Sequence, residues 1–62
     1  MTFQLDQQYA LNEMIHVEGL QIPQGAIGVV TRVYDEDATL YFQEYDAEVR
    51  FYELESVLLT GV

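Results

Sequence analysis

No stretch of this chain stays apolar for longer than a β-strand. Runs rich in Val, Ile, Tyr, Phe and Thr are cut at Glu18-Gly19-Leu20-Gln21-Ile22-Pro23-Gln24-Gly25, at Asp35-Glu36-Asp37 and at Tyr45-Asp46-Ala47-Glu48. Those residue types fit a pleated, half-buried surface, and breaks at such short intervals are those of a small barrel or sandwich. The pattern predicts five strands, at residues 14–18, 26–34, 39–44, 48–52 and 57–59. Period-2 alternation places Leu40 and Phe42 on one side with Tyr41 and Gln43 on the other. Val49 and Phe51 alternate with Glu48, Arg50 and Tyr52 in the same way. The predicted core is Ile15, Val17, Ile27, Val30, Val33, Leu40, Phe42, Val49, Phe51, Leu54, Val57 and Leu59. Gly28 leaves open which of Val29 and Val30 points inward, because a bend or bulge there shifts the alternation.

Two segments carry a helical signal. From Leu5 to Met14, apolar positions fall at Leu5, Tyr9, Ala10 and Met14, a stripe compatible with a helix too short to stand without docking. This N-terminal segment is expected to be either helical or disordered, so the division predicted is an extension over residues 1–11 and a barrel over residues 12–62. The second, Tyr52-Glu53-Leu54-Glu55-Ser56, suits one 3₁₀ turn that lets the last strand cross over.

Composition narrows the classes of function. The 62 residues carry eleven acidic side chains against two basic ones, Arg32 and Arg50, for a formal charge of −9. High charge is one half of the signature of disorder; the other half, low hydrophobicity, is missing at 50% hydrophobic and 13% aromatic residues. A domain this small buries only about 60% of the surface of its unfolded chain, and without Cys neither disulfides nor thiolate metal sites reinforce it. With only two cations, direct nucleic-acid binding and docking on anionic membranes are both disfavoured. No signal peptide or membrane-spanning run is read, so the expected location is cytoplasmic.

The segment Pro23-Gln24-Gly25-Ala26-Ile27-Gly28-Val29-Val30-Thr31-Arg32-Val33-Tyr34 resembles the turn-and-strand element of small SH3-like barrels of the KOW and Tudor-like kind, with Gly25, Gly28, Val30 and Val33 at the positions of a G-x-x-G-x-V-x-x-V pattern. In such a barrel, Gly25 permits a tight turn with positive φ, Gly28 allows strong coiling, and the valines fill a narrow interior. The rest of the chain, roughly residues 12–59, is similar to short acidic SH3-like proteins of bacteria and their phages. The resemblance implies an all-β, five-stranded SH3-like barrel with a 3₁₀ turn before the last strand. The basic residues that flank the turn in nucleic-acid-binding KOW domains are nearly absent here.

The residues offer little to a catalyst. His16, the one imidazole, alternates with Ile15 and Val17 and is expected on the outer face as a surface or interface residue. Asp35-Glu36-Asp37 lacks the pattern of a calcium loop and reads as a solvated hairpin tip, so no metal, cofactor or catalytic residue is assigned. The tyrosines say more: Tyr34, Tyr41, Tyr45 and Tyr52 alternate with the predicted core. They serve either as interface residues or as cross-strand pairs that stabilise the sheet. The function expected is a non-enzymatic protein-interaction module whose acidic, tyrosine-bearing face (Tyr34, Asp35, Glu36, Asp37, Tyr41, Glu44, Tyr45 and Tyr52) meets a basic protein partner. A sharper form is an inhibitor that occupies a nucleic-acid-binding protein or enzyme. The alternative is a structural or assembly subunit, with the oligomeric state open.

Overall fold

The computed structural model describes residues 3–62. Among these residues seven strands form, β1 (Gln8–Leu11), β2 (Ile15–Val17), β3 (Leu20–Ile22), β4 (Ile27–Val33), β5 (Asp37–Phe42), β6 (Ala47–Tyr52) and β7 (Leu59–Gly61), with 3₁₀ helices at Gln43–Tyr45 and Glu53–Leu58. Five strands make one antiparallel sheet in the order β6-β5-β4-β1-β7, while β2 and β3 pair as a separate hairpin. Strands β6 and β7 end the sheet on opposite sides, yet Glu53–Leu58 alone joins them in the chain. A six-residue 3₁₀ helix spans only about 12 Å, whereas the outer strands of a flat five-stranded sheet lie roughly 19 Å apart. The sheet therefore curls around the core without the two edges pairing.

The N-terminal segment departs most from expectation. Residues 5–14 contain no helix, and Gln8–Leu11 is a strand seated between β4 and β7. Residues 1–2 of the expected extension lie outside the described residues. Tyr9 and Leu11 face inward and alternate with exposed Gln8 and half-buried Ala10, and hydrogen-bonding strands on both sides outweigh a marginal helical stripe. The chain enters β1 through Asp6, at φ 69°, after Phe3 has packed edge-to-face on Tyr9 with ring centroids 5.8 Å apart.

The buried core is Phe3, Tyr9, Leu11, Ile22, Val30, Ala38, Leu40, Phe42, Phe51 and Leu59, with Ile15, Val17 and Val49 packed against it. Val30, Leu40, Phe42, Phe51 and Leu59 thus lie where alternation places them. Ile27 and Val33 do not. The register of β4 on β5 slips between Val30 and Arg32, which settles Val30 as the inward valine and leaves Val33 at the end of its strand opposite Ala38, partly in solvent. Leu54 and Val57 are 93% and 77% exposed, because the 3₁₀ helix runs to Leu58 and the last strand begins two residues later than expected. The Gly- and Pro-bearing break likewise holds a strand, β3, which turns back on β2 through Glu18 (φ 47°) and Gly19 (φ 81°), the backbone of a two-residue type I′ hairpin.

Two glycines explain themselves. Gly25 has φ 89° at the third position of a turn in which the Ala26 amide donates to the Pro23 carbonyl, the type II arrangement. Gly28 has an ordinary φ; what it supplies is room, since a Cβ there would sit 2.8 Å from the Phe42 ring. Gly28→Ala should therefore destabilise the protein by about 1–3 kcal/mol in denaturant unfolding, with a smaller loss when Phe42 is first shortened to Leu. Gly25→Val, where added side-chain atoms meet nothing, should cost about 1–2 kcal/mol from backbone strain alone. Unchanged stability in either variant would contradict the geometry.

Candidate functional site

The outer face of β4, β5 and β6 is set by register. Val29, Tyr41 and Glu48 form one row, Arg32, Thr39 and Arg50 the next, and Asp37 lies opposite Tyr52 at the end. Both cations of the chain thus flank Thr39, and the acidic side chains from Asp35 to Glu55 collect towards the two ends of the β5–β6 hairpin. Five residues of strand put those ends about 17 Å apart.

At one end, Asp35 and Glu36 form a two-residue loop closed by the Tyr34 amide donating to the Asp37 carbonyl at 2.8 Å. Asp37 itself belongs to β5 and is 8% exposed, so the solvated tip consists of Asp35 and Glu36 only. Its carboxylate accepts from the Arg50 guanidinium, whose carbon lies 4.2 Å from the centre of the Tyr34 ring. Tyr34, Arg50 and Asp37 make one layered contact in which cation–π and ion-pair interactions share the guanidinium. That hydrogen bond to Asp37 holds the Arg50 charge in place, raising an already high pKa further. The Glu36 carbonyl accepts the Glu53 amide at 2.8 Å, tying the loop to the start of the second 3₁₀ helix. Between them opens a cleft of about 430 Å³ lined by Glu36, Tyr52, Glu53 and Leu54.

The other end gathers Tyr41, Glu44 and Tyr45. Asp46 takes the left-handed conformation (φ 48°) after Gln43–Tyr45 and accepts the Tyr41 hydroxyl at 2.8 Å. Glu44 is exposed, while Tyr45 is half-buried against the core. A second cleft of about 460 Å³ lies between the β2–β3 hairpin and the start of β6, lined by Val17, Glu18, Leu20, Asp46, Ala47 and Glu48. His16 is exposed, as alternation predicts, and accepts a hydrogen bond on its Nε2 from the Gln21 side-chain amide across the hairpin. Among the described residues no three His, Asp or Glu side chains gather to hold a metal ion, and no helix is long and apolar enough to cross a membrane.

The eight residues singled out by sequence therefore divide into Tyr34, Asp35, Glu36, Asp37 and Tyr52 at one end and Tyr41, Glu44 and Tyr45 at the other. Sequence reasoning missed Leu54 as a surface residue, although its position between Glu53 and Glu55 in a segment already read as 3₁₀ was the available signal. It also missed the pairing of Asp37 with Arg50, which no local spacing announces across thirteen residues. Compared with protein-family models, curated proteins and solved structures, the chain matches none.

Two outcomes follow from this geometry. The Asp46 carboxylate favours the neutral Tyr41 phenol, chiefly through their hydrogen bond, and so raises its pKa above the ordinary tyrosine range. The bond is present while Tyr41 is protonated and is lost as pH rises through that raised value, so its stabilisation disappears only in strong alkali. In ultraviolet titration Tyr41→Phe should remove a phenol that ionises above the ordinary tyrosine range. Arg50→Met should lower the melting temperature more than Arg32→Met does, because only the former strands a buried carboxylate.

Proposed function

We propose that this chain is a non-enzymatic protein-interaction module on an SH3-like scaffold, which offers an acidic, tyrosine-bearing end to a basic protein partner. The order β6-β5-β4-β1-β7, the inserted β2–β3 hairpin and the 3₁₀ helix leading into the last strand support the scaffold. The observation that carries the function is the first cleft: the acidic side chains of Glu36 and Glu53 border exposed Tyr52 and Leu54, with Asp35 beside them and Arg50 already held by Asp37. An apolar centre with an anionic rim suits a partner that brings an apolar side chain among Lys and Arg, the charges speeding encounter and the aromatic and aliphatic surface slowing release. The surplus of negative charge is also what an inhibitor needs to occupy the phosphate-binding groove of a nucleic-acid-binding protein.

The test is a titration with a blocked Lys- and Arg-rich peptide carrying one Leu, followed by amide chemical shifts. Shifts should centre on Tyr34, Glu36, Tyr52 and Leu54. Raising salt from about 50 to 300 mM should weaken binding several-fold by slowing association, and Leu54→Ser should weaken it without disturbing the fold. Salt-independent affinity, or shifts scattered over the surface, would overturn the reading. A second reading, a structural or assembly subunit, draws on exposed Leu5, Val57 and Val62; under it, sedimentation at micromolar concentration gives a dimer or larger species rather than a monomer.

A further inference from the structure

Strand β6 ends the five-stranded sheet, and its hydrogen bonds tell which of its main-chain groups are free. In an antiparallel ladder, opposite residues alternate between pairs that exchange both hydrogen bonds and pairs that exchange none. The Glu53 amide donates to the Glu36 carbonyl, which makes 36 and 53 a bonded pair in the register that also sets Phe51 opposite Ala38, Val49 opposite Leu40 and Ala47 opposite Phe42. Glu48, Arg50 and Tyr52, of the other parity, aim their main-chain groups away from β5. The Tyr52 amide is taken by the Glu55 carboxylate at 2.9 Å. Among the described residues nothing bonds the amides and carbonyls of Glu48 and Arg50. This bare edge runs beside the second cleft, whose walls are Val17, Leu20 and Ala47 with Glu18, Asp46 and Glu48.

We propose that an extended basic segment of the partner, beyond the part that enters the first cleft, binds here as an added strand, pairing with the Glu48 and Arg50 main chain. This rests on the reading of the chain as a module for basic partners and names the mode of recognition. A strand laid on β6 sends alternate side chains to opposite faces. On the outer face its residues lie beside Glu48, where Lys or Arg is favoured as a cross-strand neighbour. On the other face they enter the cleft against Val17, Leu20 and Ala47, where a small apolar side chain fits. The occupant is therefore an extended segment alternating basic and small apolar residues. A second copy of this chain has the same edge but adds another nine negative charges, so charge favours the basic segment. Glu55 sets the limit of the platform by occupying the Tyr52 amide.

Two blocked peptides of equal charge decide the matter, one with four Lys-Val repeats and one of the same sequence N-methylated at every backbone amide. The Lys-Val peptide should slow hydrogen exchange of the Glu48 and Arg50 amides at least about tenfold at saturation. The N-methylated peptide, which has no amide to donate to the β6 edge, should not. Glu48→Pro, which removes one edge donor at a position where an edge strand tolerates proline, should weaken Lys-Val binding about tenfold, and Glu48→Gln, which removes only the charge, about threefold. Protection is read on the wild-type protein, so the result stands even if Glu48→Pro folds poorly. Equal binding of both peptides at the first cleft without amide protection would overturn strand addition and leave the interaction module standing. Protection that grows with protein concentration alone would assign the edge to a second copy and overturn the proposal, and binding of neither peptide would overturn both.

Discussion

Everything else in this fold depends on the seating of β1 between β4 and β7. Tyr9 lies opposite Gly28 on one side and Gly61 on the other, so the largest side chain of the strand stands between two residues that have none. The space above Gly28 belongs to the Phe42 ring, which in turn meets Phe51 with centroids 6.3 Å apart. Strand pairing and aromatic packing are thus a single arrangement, in which a methyl group at Gly28 displaces Phe42 and a slip of β1 by one residue turns Tyr9 and Leu11 to solvent. Asn12 extends that seating beyond the strand. Its main-chain amide donates to the Leu58 carbonyl and its side-chain amide to the Val57 carbonyl, while its side-chain oxygen accepts from the Thr60 hydroxyl. One polar residue therefore holds the chain just after β1 against the segment that delivers the last strand.

What was legible in the sequence was whatever depends on neighbours in the chain. The β5–β6 hairpin, the inward set Leu40, Phe42 and Phe51, the positive φ of Gly25 and the 3₁₀ connection near Glu53 all follow from alternation or turn chemistry within a few residues. What was illegible depends on partners far along the chain. Gln8–Leu11 is a strand only because β4 and β7 flank it, and in isolation its spacing satisfies a helix as well. The bulge between Val30 and Arg32 reassigns Val33, though nothing in Val-Val-Thr-Arg-Val marks where the extra residue falls. At the candidate site, the tyrosines and acids were found by type, while their division between two ends came from the register.

The charge distribution gains meaning from that division. Eleven acids on 62 residues describe an overall repulsive surface. The fold places both arginines in the middle row and commits one of them to Asp37 and Tyr34, so the centre of the outer face is close to neutral and its ends are anionic. The face therefore carries two separated anionic regions rather than a uniform field.

The pairing of β1 with β7 also sets the order in which the molecule is easiest to assemble. Turns of two and four residues join β4 to β5 and β5 to β6, whereas Leu11 and Leu59 are brought together across most of the chain. On loop entropy alone, that last closure costs about 2 kcal/mol more than closing the β5–β6 hairpin. The three-stranded meander is thus the part that closes first, and β1 is the last strand to be held on both sides. A protein built this way has its most buried tyrosine on its most dearly closed strand.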